Sequence, residues 1–263
     1  MQDLRITMVQ SDIAWEQTLK NLDNFGRKLE PMNKAQDIVV LPEMFATGFT
    51  MNVKKFAEDM NGTVPEWMRK IAATLNCVIT GSFIYRNDDV FYNRLVWMRP
   101  DGSYETYDKK HLFRFGNEHN FFTAGTDKII IELKGWNICP MICYDLRFPA
   151  WAKNTYANDR FLYDVLIYIA NWPEARKHHW EILLKARAVE NLCYVVGVNR
   201  VGRDGRGTSH SGNSMIISPK GKMMGSFEEN NEAITTVLLD TDQLIQYRKK
   251  FNVALDWDNF LLQ

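Results

Sequence analysis

The sequence predicts a single α/β domain in which sheets pack on each other or under helices. Three observations carry this. Short β-rich apolar runs alternate with helical patterns along all 263 residues. Several runs, such as DVLIYIA (164–170) and CYVVGVN (193–199), are apolar almost throughout, so both faces of their sheets are covered. No Pro/Gly/Ser-rich linker, internal repeat or low-complexity stretch interrupts the series, and a chain of this length buries a substantial core without staples. One domain over 1–263 is expected, with 251–263 as a C-terminal tail used in packing or dimerisation.

Taken in order, RITMVQ (5–10) reads as a strand, and Trp15, Leu19, Leu22, Phe25 and Leu29 then share one face of a helical pattern. DIVVLP (37–42) is a second strand, ended by Pro42. A helix runs from about Pro65, suited to a first helical position, to Leu75. CVITGSFIY and FYNRLVWM are strands, and Pro100-Asp101-Gly102 turns the chain into a third, SYETYD. Beyond a polar-aromatic loop (109–127), KIIIEL and WNICPMIC form a pair joined at Lys134-Gly135, and a helix starts near Pro149. Strand 164–170, helix 179–191 and strand 193–199 follow. A glycine-rich loop (202–212), NSMIISP, the turn Pro219-Lys220-Gly221, the strand AITTVLL, a short helix near 241–250 and the aromatic tail complete the chain.

Lys plus Arg equals Asp plus Glu at 32 each, and no like-charge block occurs, which argues against a nucleic-acid binder. The start MQDLRITMVQ has charges and no long apolar h-region, so no signal peptide is expected. No run approaches the length of a membrane span. Cys77, Cys139, Cys143 and Cys193 sit singly in apolar runs, as free thiols of a reducing compartment do. A cytoplasmic protein is expected.

Cys143 closes an apolar strand and YDLRFP follows. A strand-to-helix junction exposes the sulfur, and amide N–H groups with a nearby cation there would lower a thiol pKa. A free Cys is as readily a small buried hydrophobe. Glu43 follows DIVVLP at a sheet edge, and its plain alternative is a solvated acid. Lys109 ends SYETYD, and the alternative is a snorkelling surface lysine. Glu118, in GNEHNFFTAG, is unremarkable alone. A thiol nucleophile, a carboxylate base and a cation for an oxyanion are nevertheless the three parts that amide hydrolysis needs. His178 and His179 diverge on a helix, Pro140 interrupts the Cys139/Cys143 pair, and no H-E-x-x-H occurs, so no metal is expected. Ser209-His210-Ser211 lacks a nucleophile elbow, and Gly202, Gly205 and Gly207 lack a Walker lysine.

LPEMFATGF around Glu43, YDKKHLF around Lys109 and MICYDLRFP around Cys143, in that order, resemble the signatures of the nitrilase, or carbon-nitrogen hydrolase, superfamily. Glu118, seven residues before Gly125, matches the family's E-to-G loop, and the likeness runs on to YRKKFNVALDWDNF. CYDLRFP, ANWP, ARAVEN and NRVG are similar to bacterial omega-amidases within it. The resemblance implies a four-layer αββα sandwich and a Glu43-Lys109-Cys143 triad. Lys109 and not Lys110 is the member, two residues before the His of HLF, and adjacent strand side chains point opposite ways. It further implies that Glu118 orients Lys109 or water, that the Tyr144 N–H helps hold the oxyanion, and that no cofactor is needed. The implied substrate is the terminal amide of a small 2-oxo dicarboxylic acid, with nitriles, N-carbamoyl compounds, another omega-amide or a catalytically silent scaffold as rivals. Arg176 is the candidate for its carboxylate; Trp172, Phe45 and Phe121 are candidate pocket walls; Arg147 is expected in a structural ion pair. Association as a homodimer or higher homo-oligomer is expected, with the apolar tail covered.

Overall fold

A computed structural model of the chain describes residues 1–32 and 36–258. Two six-stranded sheets form its centre. The first runs β16 (Ala233–Leu239), β1 (Leu4–Gln10), β2 (Ile38–Val40), β3 (Val78–Asn87), β4 (Val90–Met98) and β5 (Tyr104–Asp108). The second runs β15 (Met223–Ser226), β14 (Met215–Ile217), β11 (Tyr194–Asn199), β10 (Val165–Ala170), β7 (Trp136–Ile142) and β6 (Ile131–Leu133). Each has a parallel centre, β1-β2-β3 and β11-β10-β7. Antiparallel strands flank both centres. Two ribbons, β8 (Tyr156–Ala157) with β9 (Arg160–Phe161) and β12 (Val201–Arg203) with β13 (Ser209–Ser211), lie outside the sheets.

The strand period of two sorts the side chains into layers. Leu4, Ile6 and Met8 of β1 and Ile38 and Val40 of β2 share a buried cluster with Ile138 of β7 and Val165 and Ile167 of β10, which lie on the face of the second sheet turned away from α5. Their neighbours Val9 and Val39 belong to another cluster, with Leu22, Phe25 and Leu29 of α1 (Thr18–Leu29) and Val64, Met68 and Ala72 of α3 (Thr63–Leu75). On the far face of the second sheet, Trp180, Leu184 and Ala188 of α5 (Lys177–Glu190) cover β11. Gly197 permits that approach, since a Cβ there would stand 2.5 Å from Leu184. The result is the αββα sandwich in one domain, and burying each such Leu or Phe stabilises it by about 1.5–3 kcal/mol.

Elements differ from expectation in places. Leu19 is 72% exposed, and Trp15 precedes α1. At about 100° per residue, Leu19 falls roughly 90° from the centre of the Leu22-Phe25-Leu29 stripe. The helix expected near Pro149 is a single turn, α4 (Pro149–Ala152), preceded by a 3₁₀ stretch over Cys143–Arg147. The Lys134-Gly135 turn is as expected, both residues left-handed (φ 53° and 82°), as a two-residue hairpin requires. A short helix, α2 (Val53–Phe56), went unanticipated; α6 (Thr241–Lys250) is capped by Asp240, whose carboxylate accepts the Gln243 N–H at 2.9 Å. The end of the tail, 259–263, lies outside the described residues. Among these, no helix is long and apolar enough to cross a membrane.

Candidate active site

Parallel strands deliver polar residues to one end of the sandwich. Glu43 lies three residues beyond β2, Cys143 directly follows β7, and Asn171 directly follows β10. Such carboxyl ends are where open α/β sheets leave room for ligands. Met44 and Cys143 both take left-handed backbone (φ 45°), which bends the chain out of each strand. Lys109 follows β5, its N–H donating to the Asn93 carbonyl of β4 at 3.0 Å and its carbonyl accepting the Gly125 N–H at 2.9 Å. Gly125 has a local reason to be glycine, because a Cβ would sit 2.1 Å from the Asp108 carbonyl oxygen.

The side chains of Glu43, Lys109 and Glu118 meet out of solvent. Lys109 Nζ donates to Glu43 Oε1 at 2.9 Å and to both Glu118 oxygens at 3.0 Å. Asn93 Nδ2 reaches Glu43 Oε1 at 2.8 Å and Glu118 Oε1 at 3.3 Å. Glu43 Oε2 accepts the Asn171 N–H at 2.8 Å, and Glu118 Oε2 accepts the Phe113 N–H at 2.5 Å. Burial works against the Lys109 ammonium, but Glu118, Glu43 and Cys143 outweigh it and hold its pKa above the ordinary lysine value. Burial raises the Glu118 carboxyl; Lys109 opposes this and Glu43 adds to it. Lys110 points elsewhere, its Nζ 5.2 Å from the Trp151 ring centroid.

The Cys143 thiol corrects one expectation. Burial first, and then the Glu43 carboxylate, push its pKa well above the ordinary thiol value, and Lys109 only partly offsets them. The junction does not lower the thiol pKa, because the cation beside it is already matched by two carboxylates. The resting sulfur is therefore a thiol in need of a base.

Buried Asp145 anchors the turn that carries Cys143. Its Oδ2 accepts the Ile142 N–H at 3.1 Å and the Tyr107 hydroxyl at 2.7 Å. Its Oδ1 accepts the His111 N–H at 2.9 Å and contacts His111 Nδ1 at 2.8 Å. Tyr107 and His111 bracket Lys109, so one carboxylate holds sulfur and ammonium in register. The Tyr144 N–H lies in the first turn of the 3₁₀ stretch, where amides lack a partner within the helix.

Above these groups opens a cavity of about 190 Å³. Glu43, Lys109 and Cys143 line its base, Phe49, Phe113, Tyr144 and Trp172 its walls, and Arg147, Arg176 and His210 add polar groups. The Arg176 guanidinium lies 5.6 Å from the Phe113 ring centroid. Arg147 departs from the expected ion pair: it bonds His179 Nδ1 at 3.0 Å and lies 4.8 Å from the Trp172 ring centroid. Among the described residues the arginine ion pairs belong to seven others, and neither Arg147 nor Arg176 has a carboxylate partner. Burial, with Arg176 nearby, lowers the Arg147 pKa.

The carbon-nitrogen hydrolase family profile matches residues 5–249. The chain belongs to the carbon-nitrogen hydrolase family. It is 40% identical to an omega-amidase, YafV, of Escherichia coli over the full length of both chains. It is 30% identical to a 2-oxoglutaramate amidase of Bacillus subtilis, covering 95% of this chain and 96% of the relative. A solved CN-hydrolase superfamily protein from Xanthomonas campestris, which holds an arsenic adduct in its active site, superposes with a TM-score of 0.97 at 42% identity over all of both chains.

Two expected pocket walls of this carbon-nitrogen hydrolase are elsewhere. Phe45 is fully buried in the helix-facing core, edge-on to Phe25 with centroids 5.6 Å apart and beside Trp67. Its ring presses on Gly81, where a Cβ would stand 2.9 Å from it. Phe121 ends a short 3₁₀ turn, is 43% exposed and does not line the cavity. Asn93, Asn171 and His210 escaped notice. Asn93 left a trace in the sequence, an amide in the middle of the strand FYNRLVWM where β-propensity disfavours it. His210 left none, since only the fold of its loop brings it to the cavity.

Proposed function

We propose that the protein hydrolyses the terminal amide of a small 2-oxo dicarboxylic acid monoamide, 2-oxoglutaramate or 2-oxosuccinamate, to the 2-oxo acid and ammonia through a thioester on Cys143. The observation that carries this is that Cys143 lines one cavity together with Glu43 and the buried Lys109 that is ion-paired to it, beside Arg147 and Arg176, which among the described residues have no carboxylate partner. The omega-amidase relatives supply the substrate class.

Glu43 takes the thiol proton as sulfur attacks the amide carbonyl. The oxyanion is held by the Lys109 ammonium and the Tyr144 N–H, each such donor worth about 3–4 kcal/mol of barrier. Collapse expels the amine, which takes the proton from Glu43 and leaves as ammonia. Glu43 then removes a proton from water, the hydroxide adds to the thioester, and the thiolate departs and is reprotonated. Glu118 holds Lys109 in place and remains outside the proton traffic. At the far end Arg176 pairs with the substrate carboxylate, and Trp172 packs against the carbon chain. No metal or organic cofactor takes part.

The protein acts in the cytoplasm, where its four free cysteines stay reduced. It works as a homodimer or higher homo-oligomer; Phe251 and Leu255 of the tail are 54% and 71% exposed on the single chain and await a cover. Light scattering at micromolar concentration tests this.

The deciding assay is ammonia release from 2-oxoglutaramate by the wild type and Cys143→Ala. Release by the wild type that vanishes in the variant is expected. A folded wild type that releases none overturns the substrate and leaves the nitrile and N-carbamoyl classes.

A further inference from the structure

Asn93 lies outside the motifs around Glu43, Lys109 and Cys143, yet its side chain is inside their polar cluster. It is 1% exposed. Its amide nitrogen faces Glu43 Oε1 at 2.8 Å and Glu118 Oε1 at 3.3 Å, the same two oxygens that Lys109 Nζ holds at 2.9 and 3.0 Å. Two donors and two acceptors thus alternate around a small closed square. The Asn93 backbone carbonyl, in turn, accepts the Lys109 N–H at 3.0 Å.

The orientation of this amide has a cost. Asn93 Oδ1 is buried with no hydrogen-bond partner among the described residues. Turning the amide over would set that oxygen against two carboxylates, so the acids dictate which end faces them. An orphaned buried acceptor beside a doubly used donor points to a task for the donor. The cluster holds two carboxylates and one ammonium. A second cation in Asn93's place would balance the charge and make Glu43 a poorer proton acceptor. A hydrophobe would leave one ammonium to hold both acids. A neutral donor bridges the two acids and adds no charge to the cluster.

We propose that Asn93 is a positioning residue that clamps Glu43 and Glu118 to Lys109 and sets the pH range in which Glu43 serves as the base for Cys143. This rests on Glu43 acting as that base. Lys109, Glu118 and Cys143 are the charged and titratable groups packed against Glu43, with Tyr144, Arg147, Arg176, Asp204, Arg206 and His210 around the cavity above it.

The test is the pH dependence of Cys143 alkylation by iodoacetamide, read by mass spectrometry, which needs no substrate. Wild type, Glu43→Gln, Asn93→Leu and the isosteric Asn93→Asp are compared, with thermal melts as a folding check. A carboxylate that loses a donor takes up a proton more readily. Asn93→Leu therefore moves the acid limb of the alkylation profile up by about one to two pH units, and Asn93→Asp, adding a third acid, moves it at least as far. Turnover falls about 10- to 100-fold below the limb with KM little changed. Asn93→Asp carries the test if Asn93→Leu does not fold. A limb that disappears in Glu43→Gln but stays put in both Asn93 variants overturns the clamp alone. A wild-type limb indifferent to Glu43→Gln overturns the base assignment and the clamp with it.

Discussion

Replacing Lys109 with Met keeps the length of the side chain and deletes its charge, which separates what the ammonium does for the fold from what it does for turnover. At 2.9 and 3.0 Å, each carboxylate pair contributes about 6 kcal/mol of Coulomb attraction at an effective dielectric of about 20. Desolvation of the buried ions offsets much of that. Removing one partner does not recover the desolvation of the others, because Glu43 and Glu118 stay buried. The expected loss is about 3–5 kcal/mol, limited by protonation of Glu118, whose carboxyl burial already pushes up. That corresponds to a melting temperature lower by roughly 10 °C for a chain of this size. Turnover falls at least 10²- to 10³-fold, on the order of one lost oxyanion donor. Lys109→Met combined with Glu118→Gln removes one of the two stranded charges, so it regains part of the stability and none of the activity. Urea denaturation and ammonia release from 2-oxoglutaramate measure the two effects. A Lys109→Met protein as stable as wild type, or a double variant that regains turnover, would refute the account of the buried triad.

Three further outcomes are expected. Burial and then Arg200 push the His210 imidazole from 6.5 down to about 4, so the folded state excludes a proton that the unfolded chain binds. The stability this confers is complete above about pH 6.5 and is lost as the pH falls towards 4, about 3 kcal/mol in all; urea midpoints at pH 7 and 4.5 should diverge less for His210→Asn than for wild type. Arg176→Met should lower kcat/KM for 2-oxoglutaramate about 10- to 100-fold by removing a charge-assisted bond, and should leave a short neutral amide unaffected; equal losses on both would refute the carboxylate contact. Cys143 holds φ at 45°, which costs a side chain about 1–2 kcal/mol and glycine almost nothing. Cys143→Gly should therefore be more stable than Cys143→Ala by about 1 kcal/mol in urea, with both inactive, and the reverse order would show that the turn is relaxed.

Much of this protein was legible in its sequence because the signals were local. Period-two runs placed most strands, and doubly apolar runs such as VLIYIA required cover on both faces, which α5 and the first sheet provide. The motifs around Glu43, Lys109 and Cys143 marked residues that the fold brings together. The failures were equally local in cause. Leu19 carried the right residue type and lay at the flank of the helical stripe. Phe45 follows the Glu43 strand, but the left-handed turn at Met44 and the space left by Gly81 lodge its ring in the core.

The sequence by itself determined an α/β domain with sheets covered on both faces and, through the order of its motifs and the resemblance they carry, the family, the αββα sandwich and the three motif residues, since hydrophobic period and motif order are properties of neighbouring positions. Only the tertiary structure decided the electrostatics of the site. The protonated resting thiol follows from burial beside Glu43, which lies 100 residues away in the chain. The lack of a carboxylate partner for Arg147 and Arg176 among the described residues, the place of His210 and the double grip of Asn93 depend on which loops converge at the strand ends. Charge and desolvation act through space, and no window along the chain records those distances.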